Sequence, residues 1–334
     1  MFDLKRRAFL AGSVLLAGAT GLRAADWGDP PTSAVGDPAA PPWPPAERIA
    51  LWPGDPPGMP ATPPAYAPTM NGPVGGRILW IRGIARPEIN VFRPERPDGS
   101  ALLVIPGGAY NFVSVQNEGI DVARRFTPAG TAIFVLTYRL PDEGWARRER
   151  VPLQDAQRAM RLLRAQAARL AIDAERIGVL GFSAGGHLAA DLATAFDERC
   201  YEAVDAADGL SARPHHVGLV YPVASLQPGL GHDYSRDNLL GAGASAVAVA
   251  AHSPAEHVRA DTPPCCLVHA LDDDTVPAAS SLAMLEACRR ARVPAEAHFF
   301  EAGGHGFGVP AHPGAPAYAW PGLFMAWSRR HQES

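Results

Sequence analysis

The stretch of sequence most informative about the fold is Arg176-Ile177-Gly178-Val179-Leu180-Gly181-Phe182-Ser183-Ala184-Gly185. Its first seven residues are mostly apolar, as expected for a strand buried on both faces, and Ala184 to Phe196 has the composition of a helix. Gly181 to Gly185 fits G-x-S-x-G, a tight turn in which side chains at positions 181 and 185 would collide with neighbouring backbone. The pattern predicts a strand, a turn and a helix that expose the Ser183 hydroxyl as a nucleophile; the alternative is a turn of small residues without chemistry.

The same alternation of strand and helix extends in both directions along the chain. Buried apolar runs and amphipathic stretches alternate, and the strands are hydrophobic throughout, which is typical of a parallel sheet covered on both faces. We therefore predict an α/β fold with a mostly parallel central sheet and helices on both faces. Strands are expected at 78–84, 88–92, 101–105, 132–137, 176–182, 217–221, 266–271 and 296–301, and helices at 120–126, 152–170, 184–196, 278–291 and 320–330. Residues 224–264 interrupt this pattern and are expected to form a small cap.

Composition and charge limit the possible functions. The chain has 334 residues, of which 47% are hydrophobic and 19% are charged, so it can bury a large core. The formal net charge is -4, whereas nucleic-acid-binding proteins typically carry an excess of basic residues, so we expect no nucleic-acid partner.

The N-terminal region predicts export followed by a linker. Lys5, Arg6 and Arg7 precede an apolar run and small residues, so residues 1–24 resemble a signal peptide of the twin-arginine type, although Lys5 replaces the usual Ser or Thr. An uncleaved membrane anchor is the alternative. Residues 25–75 are rich in proline and are expected to be a linker, which leaves 76–334 as the catalytic domain. We expect a periplasmic or secreted protein with no stable membrane association after cleavage.

A serine nucleophile needs a base and an orienting acid, and the predicted strand ends supply both. His305 lies in a glycine-rich loop after the last predicted strand, and it is the only histidine with that position and chain order. Asp272, Asp273 and Asp274 follow the strand before it, and the residue pattern alone leaves the choice among them open. No metal-ligand spacing accompanies them, so no metal is expected.

An acyl-transfer reaction also needs donors for an oxyanion. One donor is expected to be the Ala184 amide, directly after the nucleophile. The others are expected in the loop Pro106-Gly107-Gly108-Ala109-Tyr110, with Gly108 and Ala109 as the candidates. An ordinary strand-to-helix turn is the alternative interpretation of this loop.

These motifs together resemble the α/β-hydrolase superfamily, and within it the bacterial group of acetyl xylan esterases and related carbohydrate O-acetylesterases. The resemblance runs from about residue 49 almost to the end of the chain. Its motifs are Leu51-Trp52-Pro53-Gly54, Ile105 to Tyr110, Glu118-Gly119, Tyr138-Arg139-Leu140-Pro141, Pro152 to Ala159, Gly181 to Ala189, His269 to Pro277 and Gly303 to Gly308. One departure is Ala109, where many relatives carry glycine.

The resemblance implies an α/β-hydrolase fold and a serine-esterase mechanism through an acyl-enzyme, without a cofactor. In this group the acid precedes x-x-Val-Pro, which places it on Asp273. The implied substrate is a short-chain, acetyl ester on a plant-polysaccharide sugar such as acetylated xylan, or another small ester.

Aromatic side chains are the only sequence hint of sugar recognition. Trp52, Tyr110 and Trp145 are the candidates for stacking on the substrate, with a structural role as the alternative. Trp320 and Trp327, seven residues apart on a helix, are expected in the core. Three alternatives to a sugar esterase remain: a serine peptidase of the same fold, a feruloyl or general carboxylesterase, and a non-catalytic binding protein on a hydrolase scaffold.

Overall fold

The computed structural model describes residues 29–310 and 312–332. The expected signal peptide, residues 1–24, lies outside them. In this part of the chain eight strands form the central sheet: β2 (Arg48–Ala50), β5 (Glu88–Phe92), β6 (Ala101–Ile105), β7 (Ala132–Thr137), β8 (Ile177–Phe182), β9 (Val217–Val220), β10 (Cys265–Ala270) and β11 (Ala295–Phe300).

The strand order is β11-β10-β9-β8-β6-β7-β5-β2. The six strands from β11 to β7 are parallel, while β5 and β2 add an antiparallel edge. The predicted mostly parallel α/β architecture is confirmed. Because the carboxyl ends of parallel strands share one edge, side chains that follow β8, β10 and β11 meet there.

Helices cover both faces of this sheet. They are α1 (Asp121–Phe126), α2 (Val151–Ala165), α3 (Ala167–Leu170), α4 (Ser183–Thr194), α5 (Asp233–Leu240), α6 (Ala246–Ala251), α7 (Ala279–Ala291) and α8 (Trp320–Gln332). No helix among the described residues combines the length and the hydropathy that a membrane span requires.

The two faces carry separate apolar cores because successive strand residues point in opposite directions. In β6, Leu103 and Ile105 pack with residues of α2, α4 and α7, whereas Leu102 and Val104 pack with α1 and α8. Trp320 and Trp327 of α8 are buried in the second core, which confirms their expected place.

A smaller antiparallel sheet lies outside the central one. It contains β1 (Thr32–Ser33), β3 (Ala67–Asn71) and β4 (Ile78–Arg82), in the order β1-β3-β4. The run predicted as an early strand at 78–84 therefore belongs to this small sheet.

The interpretation of residues 25–75 as a linker needs correction. Within the described part of this segment, β2 pairs with β5 in the central sheet, and Leu51 and Trp52 are buried in the core. The indole of Trp52 donates to Asp155 Oδ1 at 2.8 Å. Proline-rich sequence excludes helix and central strand, but it permits an edge strand of three residues, so the folded body begins well before residue 76.

Candidate active site

Ser183 occupies a strained turn between β8 and α4. Its φ angle is 51°, in the left-handed region that residues with a side chain rarely adopt. A Cβ atom at Gly181 would lie 2.4 Å from the carbonyl oxygen of Gly185, and one at Gly185 would lie 2.2 Å from that of Ile105. Only glycine fits at both positions, as the sequence pattern predicts, and the turn is held tightly enough to keep Ser183 in this conformation.

His305 meets Ser183 from the loop that follows β11. The distance from Ser183 Oγ to His305 Nε2 is 2.9 Å. The loop is fixed on both sides of the imidazole, because the Gly304 amide donates to Asp272 Oδ1 at 2.8 Å and Asn117 Nδ2 donates to the Gly306 carbonyl at 3.4 Å. The ring of Tyr221 packs edge-on against the imidazole, with the ring centroids 4.9 Å apart.

Asp273 contacts the other nitrogen of the same ring, with 2.7 Å between His305 Nδ1 and Asp273 Oδ2. Its Oδ1 atom accepts from the amides of Thr275 and Val276 at 3.0 and 2.8 Å. Burial opposes ionisation of this carboxyl, but the hydrogen bonds from His269, His305 and the Val276 amide hold the pKa of Asp273 well below its usual range. The carboxylate is therefore ionised at neutral pH.

The three consecutive aspartates have different surroundings. Asp272 accepts from the loop of His305, Asp273 contacts the imidazole, and Asp274 lines the adjoining cavity. The residue pattern left open which of the three aspartates is the acid that orients the imidazole. The structure places Asp273 beside His305, in the role that the family resemblance implied.

His269 is a contact that the sequence analysis missed, because it considered as a base only a histidine that follows the last predicted strand. Its Nε2 lies 3.2 Å from Asp273 Oδ2 and 3.0 Å from the Val276 carbonyl oxygen. Both neighbours of Nε2 are acceptors, so this nitrogen carries the proton, and Nδ1 accepts from Ser281 Oγ at 2.7 Å. The carboxylate of Asp273 therefore has two imidazole donors. The position of His269 one residue before the strand end was the available signal.

The loop after β6 lies beside Ser183. A Cβ atom at Gly107 would lie 2.8 Å from Ser183 Cβ, so this backbone approaches the serine closely. Gly108 has a φ of 128°, and the next two residues, Ala109 and Tyr110, have φ angles of 52° and 58°. Two consecutive non-glycine residues in the left-handed region indicate backbone strain, so surrounding contacts must hold the loop in this conformation.

Hydrogen bonds to side chains from several elements help to hold this loop. The Gly107 amide donates to Glu118 Oε2 at 2.6 Å, and Asn238 Nδ2 of α5 donates to the Ala109 carbonyl at 2.8 Å. The Tyr110 hydroxyl is 2.7 Å from His187 Nδ1, in the helix that Ser183 begins. Burial lowers the pKa of His187 to about 4, so its ring is neutral at neutral pH. Because His187 Nε2 faces the carbonyl oxygen of His252 at 2.8 Å, Nδ1 is left to accept from Tyr110.

Glu118 is a second buried acid beside the site. Burial is the largest influence and raises its pKa, while hydrogen bonds from the Gly107 amide and the Tyr221 hydroxyl partly offset the rise. The Tyr221 hydroxyl donates to Glu118 Oε1 at 2.8 Å and accepts from the Gly308 amide at 3.0 Å. Glu118 thus links the loop after β6 to the loop that carries His305.

A cavity of about 360 Å³ opens above Ser183 and His305. Gly108 and Ala109 lie on its wall, and the small sheet contributes Asn71, Ile78 and Trp80. The ring of Trp80 stacks on Phe112 with 3.7 Å between centroids and 7° between planes. His232, from the segment expected to form a cap, also lines the cavity, so part of that segment does reach the site.

The candidates for stacking, Trp52, Tyr110 and Trp145, do not line this cavity, and that expectation needs correction. Tyr110 is 1% exposed because its positive φ and its bond to His187 direct the ring inward. Trp145 is 5% exposed and packs under the guanidinium of Arg139, 5.0 Å from the ring centroid. Trp80 and Phe112 provide the aromatic surface instead.

The charged and polar groups of the site define its possible chemistry. Among the described residues, no group of three His, Cys, Asp or Glu side chains is arranged to hold a metal ion. An ionised carboxylate, an imidazole and a hydroxyl in series can move a proton from the hydroxyl to the imidazole. The Ala184 amide, in the first turn of α4, has no intrahelical acceptor and is available to a ligand.

Known proteins resemble this chain both in sequence and in structure. An acetylxylan esterase of Xylanibacter ruminicola is 32% identical over 221 residues, which cover 65% of this chain and 43% of that protein. An endo-1,4-beta-xylanase B of Butyrivibrio fibrisolvens is 34% identical over 208 residues, which cover 62% of this chain and 32% of that protein. The chain thus spans less than half the length of either relative.

A solved structure and a family model also match this chain. The crystal structure of an acetyl ester-xyloside bifunctional hydrolase from Caldicellulosiruptor lactoaceticus superposes with a TM-score of 0.71 and 32% identity, covering 86% of this chain and 97% of that one. The model of the BD-FAE family matches residues 89–287, more than half of the chain and inclusive of Ser183 and Asp273. By this match and by the resemblance already found in its motifs, the chain belongs to the BD-FAE family of α/β-hydrolases.

Proposed function

We propose that this protein is a serine-type carboxylic ester hydrolase that removes acetyl or other short acyl groups from plant-polysaccharide sugars. The observation that carries the proposal is the series of contacts at the base of the cavity. Ser183 Oγ lies 2.9 Å from His305 Nε2, and His305 Nδ1 lies 2.7 Å from Asp273. This order of hydroxyl, imidazole and carboxylate is that of enzymes which form an acyl-enzyme.

In the first step, His305 takes the proton of Ser183 as Oγ attacks the ester carbonyl. Because Asp273 is ionised and faces Nδ1, Nδ1 carries the proton of the neutral ring and Nε2 is free to accept. Asp273 stabilises the imidazolium, which then gives its proton to the leaving alcohol. Water attacks the acyl-enzyme in the second step, and the same imidazole removes its proton and returns one to Ser183.

The amides of Ala184, Gly108 and Ala109 are the proposed donors to the oxyanion of each tetrahedral intermediate. The first lies in the first turn of α4, directly after Ser183, and the other two belong to the cavity wall beside it. The contacts of Glu118, Asn238 and His187 hold the loop in place before the substrate arrives. Donors fixed in advance are the arrangement that stabilises such charge most effectively.

Two observations support a sugar ester as substrate. The named relatives are an acetylxylan esterase, a xylanase and an acetyl ester-xyloside hydrolase. The cavity wall combines apolar surface from Ile78, Trp80 and Phe112 with the amides of Asn71 and Asn117, so it can accept an acyl group and a polar alcohol together.

The decisive experiment measures acetate release from acetylated xylan, together with hydrolysis of p-nitrophenyl esters of increasing chain length. The native protein is expected to release acetate and to prefer the acetyl ester. Ser183→Ala is expected to lower kcat by about 10⁶-fold, while Ser211→Ala, a change at an exposed serine elsewhere, should leave it unaltered. Unchanged turnover by Ser183→Ala would refute the role of Ser183 as the nucleophile. A preference for long acyl chains or for peptides would refute the proposed short-chain ester substrate.

We also propose that the protein acts after export, in the periplasm or outside the cell. The support is Lys5-Arg6-Arg7 followed by an apolar run and small residues. Such a location would bring the enzyme to polymeric carbohydrate.

A further inference from the structure

A second cavity of about 390 Å³ lies at the antiparallel edge of the central sheet, and it shares no lining residue with the cavity of Ser183. One wall consists of Glu88 and Asn90 of β5 with Thr137 of β7. Other lining residues come from the proline-rich N-terminal segment and include Trp43 and Tyr66. The proposed ester chemistry gives this second cavity no role.

Asn90 places a buried acceptor at this cavity. Its side chain is 1% exposed, and its Nδ2 atom donates to the Val135 carbonyl of the neighbouring strand at 3.1 Å. Among the described residues, its Oδ1 atom has no hydrogen-bond partner. An amide oxygen left unpaired in a strand interior destabilises the fold unless a ligand or water satisfies it. Because the other end of the amide is anchored, Oδ1 has a fixed position from which to accept from a hydroxyl.

The charges around the cavity are already paired. Arg48 Nη1 lies 3.2 Å from Glu88 Oε2, and Arg86 Nη2 lies 2.7 Å from Asp55 Oδ1. Each arginine of the lining therefore has its own carboxylate, and neither offers an uncompensated positive charge. This balance favours a neutral ligand with several hydroxyl groups over an anion.

The aromatic wall supplies flat apolar surface. Tyr66 is 55% exposed, Trp43 is partly buried, and Pro44 and Pro64 add further carbon surface. A pocket that combines such faces with a few fixed polar groups is suited to a small ring that is apolar on its faces and polar at its edge. We propose that this second cavity binds an unsubstituted, neutral pentose unit, with a ring hydroxyl donating to Asn90 Oδ1.

The hairpin β3-β4 connects this cavity to the catalytic one. Asn71 and Ile78, which pair at one end of the hairpin, line the catalytic cavity. Tyr66 and Gly83, which adjoin the other end, line the second cavity. Five strand residues extend about 17 Å, so an oligosaccharide of several units can reach both. The choice of a xylan fragment as the probe rests on the proposed function.

The test is a calorimetric titration with xylotetraose, which carries no acetyl group and is not consumed. We expect the native protein to bind it, and we expect Tyr66→Ala and Asn90→Val each to weaken binding at least tenfold. Tyr318→Ala is the matched control, because Tyr318 is 40% exposed and lines neither cavity. Thermal unfolding of each variant reports whether it is folded. If Asn90→Val fails to fold, the affinity of Tyr66→Ala for xylotetraose tests the proposal, because Tyr66 is exposed.

Absence of binding to the native protein would overturn the proposal, as would unchanged affinity in either folded variant. Hydrolysis of p-nitrophenyl acetate, measured on the same native sample, reports the proposed ester chemistry separately. An active enzyme that does not bind xylotetraose refutes the second site alone. A protein that binds the sugar without hydrolysing the ester refutes the proposed function alone.

Discussion

Asp273 Oδ2 accepts hydrogen bonds from two histidines, and only one of them reaches Ser183. The second, His269, is fixed by Ser281 and the Val276 carbonyl, so it holds the carboxylate without touching the reacting atoms. We therefore assign His269 as a positioning residue. Its contribution follows from the requirement that the carboxylate stay ionised and aligned with the imidazole of His305.

Loss of the contact between His269 and Asp273 is expected to slow turnover. His269→Phe removes a hydrogen bond to a charged group, which is worth about 1.5–3 kcal/mol, so kcat is expected to fall by about 10- to 100-fold with little change in KM. His269→Gln, which can still donate, should recover part of the loss. His298→Phe is the matched control, because His298 lies on β11 and contacts Glu296 instead. Steady-state kinetics with p-nitrophenyl acetate measure the effect. Full activity in His269→Phe would contradict the role of His269 in positioning Asp273.

The single residues that sequence analysis placed incorrectly are those whose side-chain direction depends on tertiary contacts. Sequence analysis placed Tyr110 against the substrate, but its φ of 58° and the His187 contact direct the ring into the core. No local pattern encodes that choice. Ser183, Gly181 and Gly185 could be predicted because the turn excludes every larger residue at the two glycine positions.

At the scale of elements, the small sheet β1-β3-β4 supplies the outer wall of the catalytic cavity. Trp80 of β4 lies flat on Phe112, and both rings line the space above Ser183. Under the proposed function the acyl group lies in this cavity, and this wall then limits how far an acyl chain longer than acetyl extends. An element outside the central sheet would thereby set the size of the acyl pocket.

The second prediction follows from this wall. Trp80→Ala is expected to enlarge the cavity and to raise kcat/KM for p-nitrophenyl octanoate relative to the acetate by about tenfold, as apolar contact area then becomes available to the chain. Leu282→Ala, at a half-exposed leucine of α7 outside the cavity, should leave the ratio unchanged. An unchanged ratio in Trp80→Ala would show that the wall does not limit the acyl group.

The strands of the central sheet other than β2 could be predicted from sequence, and so could β4, whereas β1, β2 and β3 could not. The inner parallel strands β6, β7 and β8 are largely apolar runs, since they are buried on both faces. In contrast, β2 is three residues long and lies in proline-rich sequence, with Ile49 as its one buried residue. Its place is determined by pairing with β5 and by the buried Trp52 that follows, and these contacts are distant in sequence.

At the scale of the whole molecule, the site joins segments that are far apart in the chain. Ser183 and His305 are 122 residues apart, and His305 and Asp273 are 32 apart. The chain order and the strand-end positions predicted the meeting, because parallel strands bring their carboxyl ends to one edge. Burial of ionisable groups, in contrast, depends on the packing of all the layers, and sequence does not give it.

That burial leads to a prediction about acid stability. Burial lowers the pKa of His187 to about 4 and that of His216 to about 3, against an ordinary value of ~6.5 in an unfolded chain. Between pH 6.5 and about 4 the unfolded state therefore binds more protons than the folded state, and the free energy of unfolding falls as the pH falls. The raised pKa values of Glu118 and of Asp191, the latter raised to about 7, oppose this trend.

A variant isolates the histidine contribution from these opposing groups. His216 packs between Phe324 and Trp327 and contacts Ser328, so it lies apart from the catalytic cavity. His216→Asn removes one titrating group. Between pH 6 and 4.5 the free energy of unfolding of this variant should fall less steeply than that of the native protein, by about 1.4 kcal/mol per pH unit. Urea unfolding of both proteins at several pH values measures the two slopes. Parallel slopes would mean that His216 is already protonated in the folded state and that its burial does not govern acid stability.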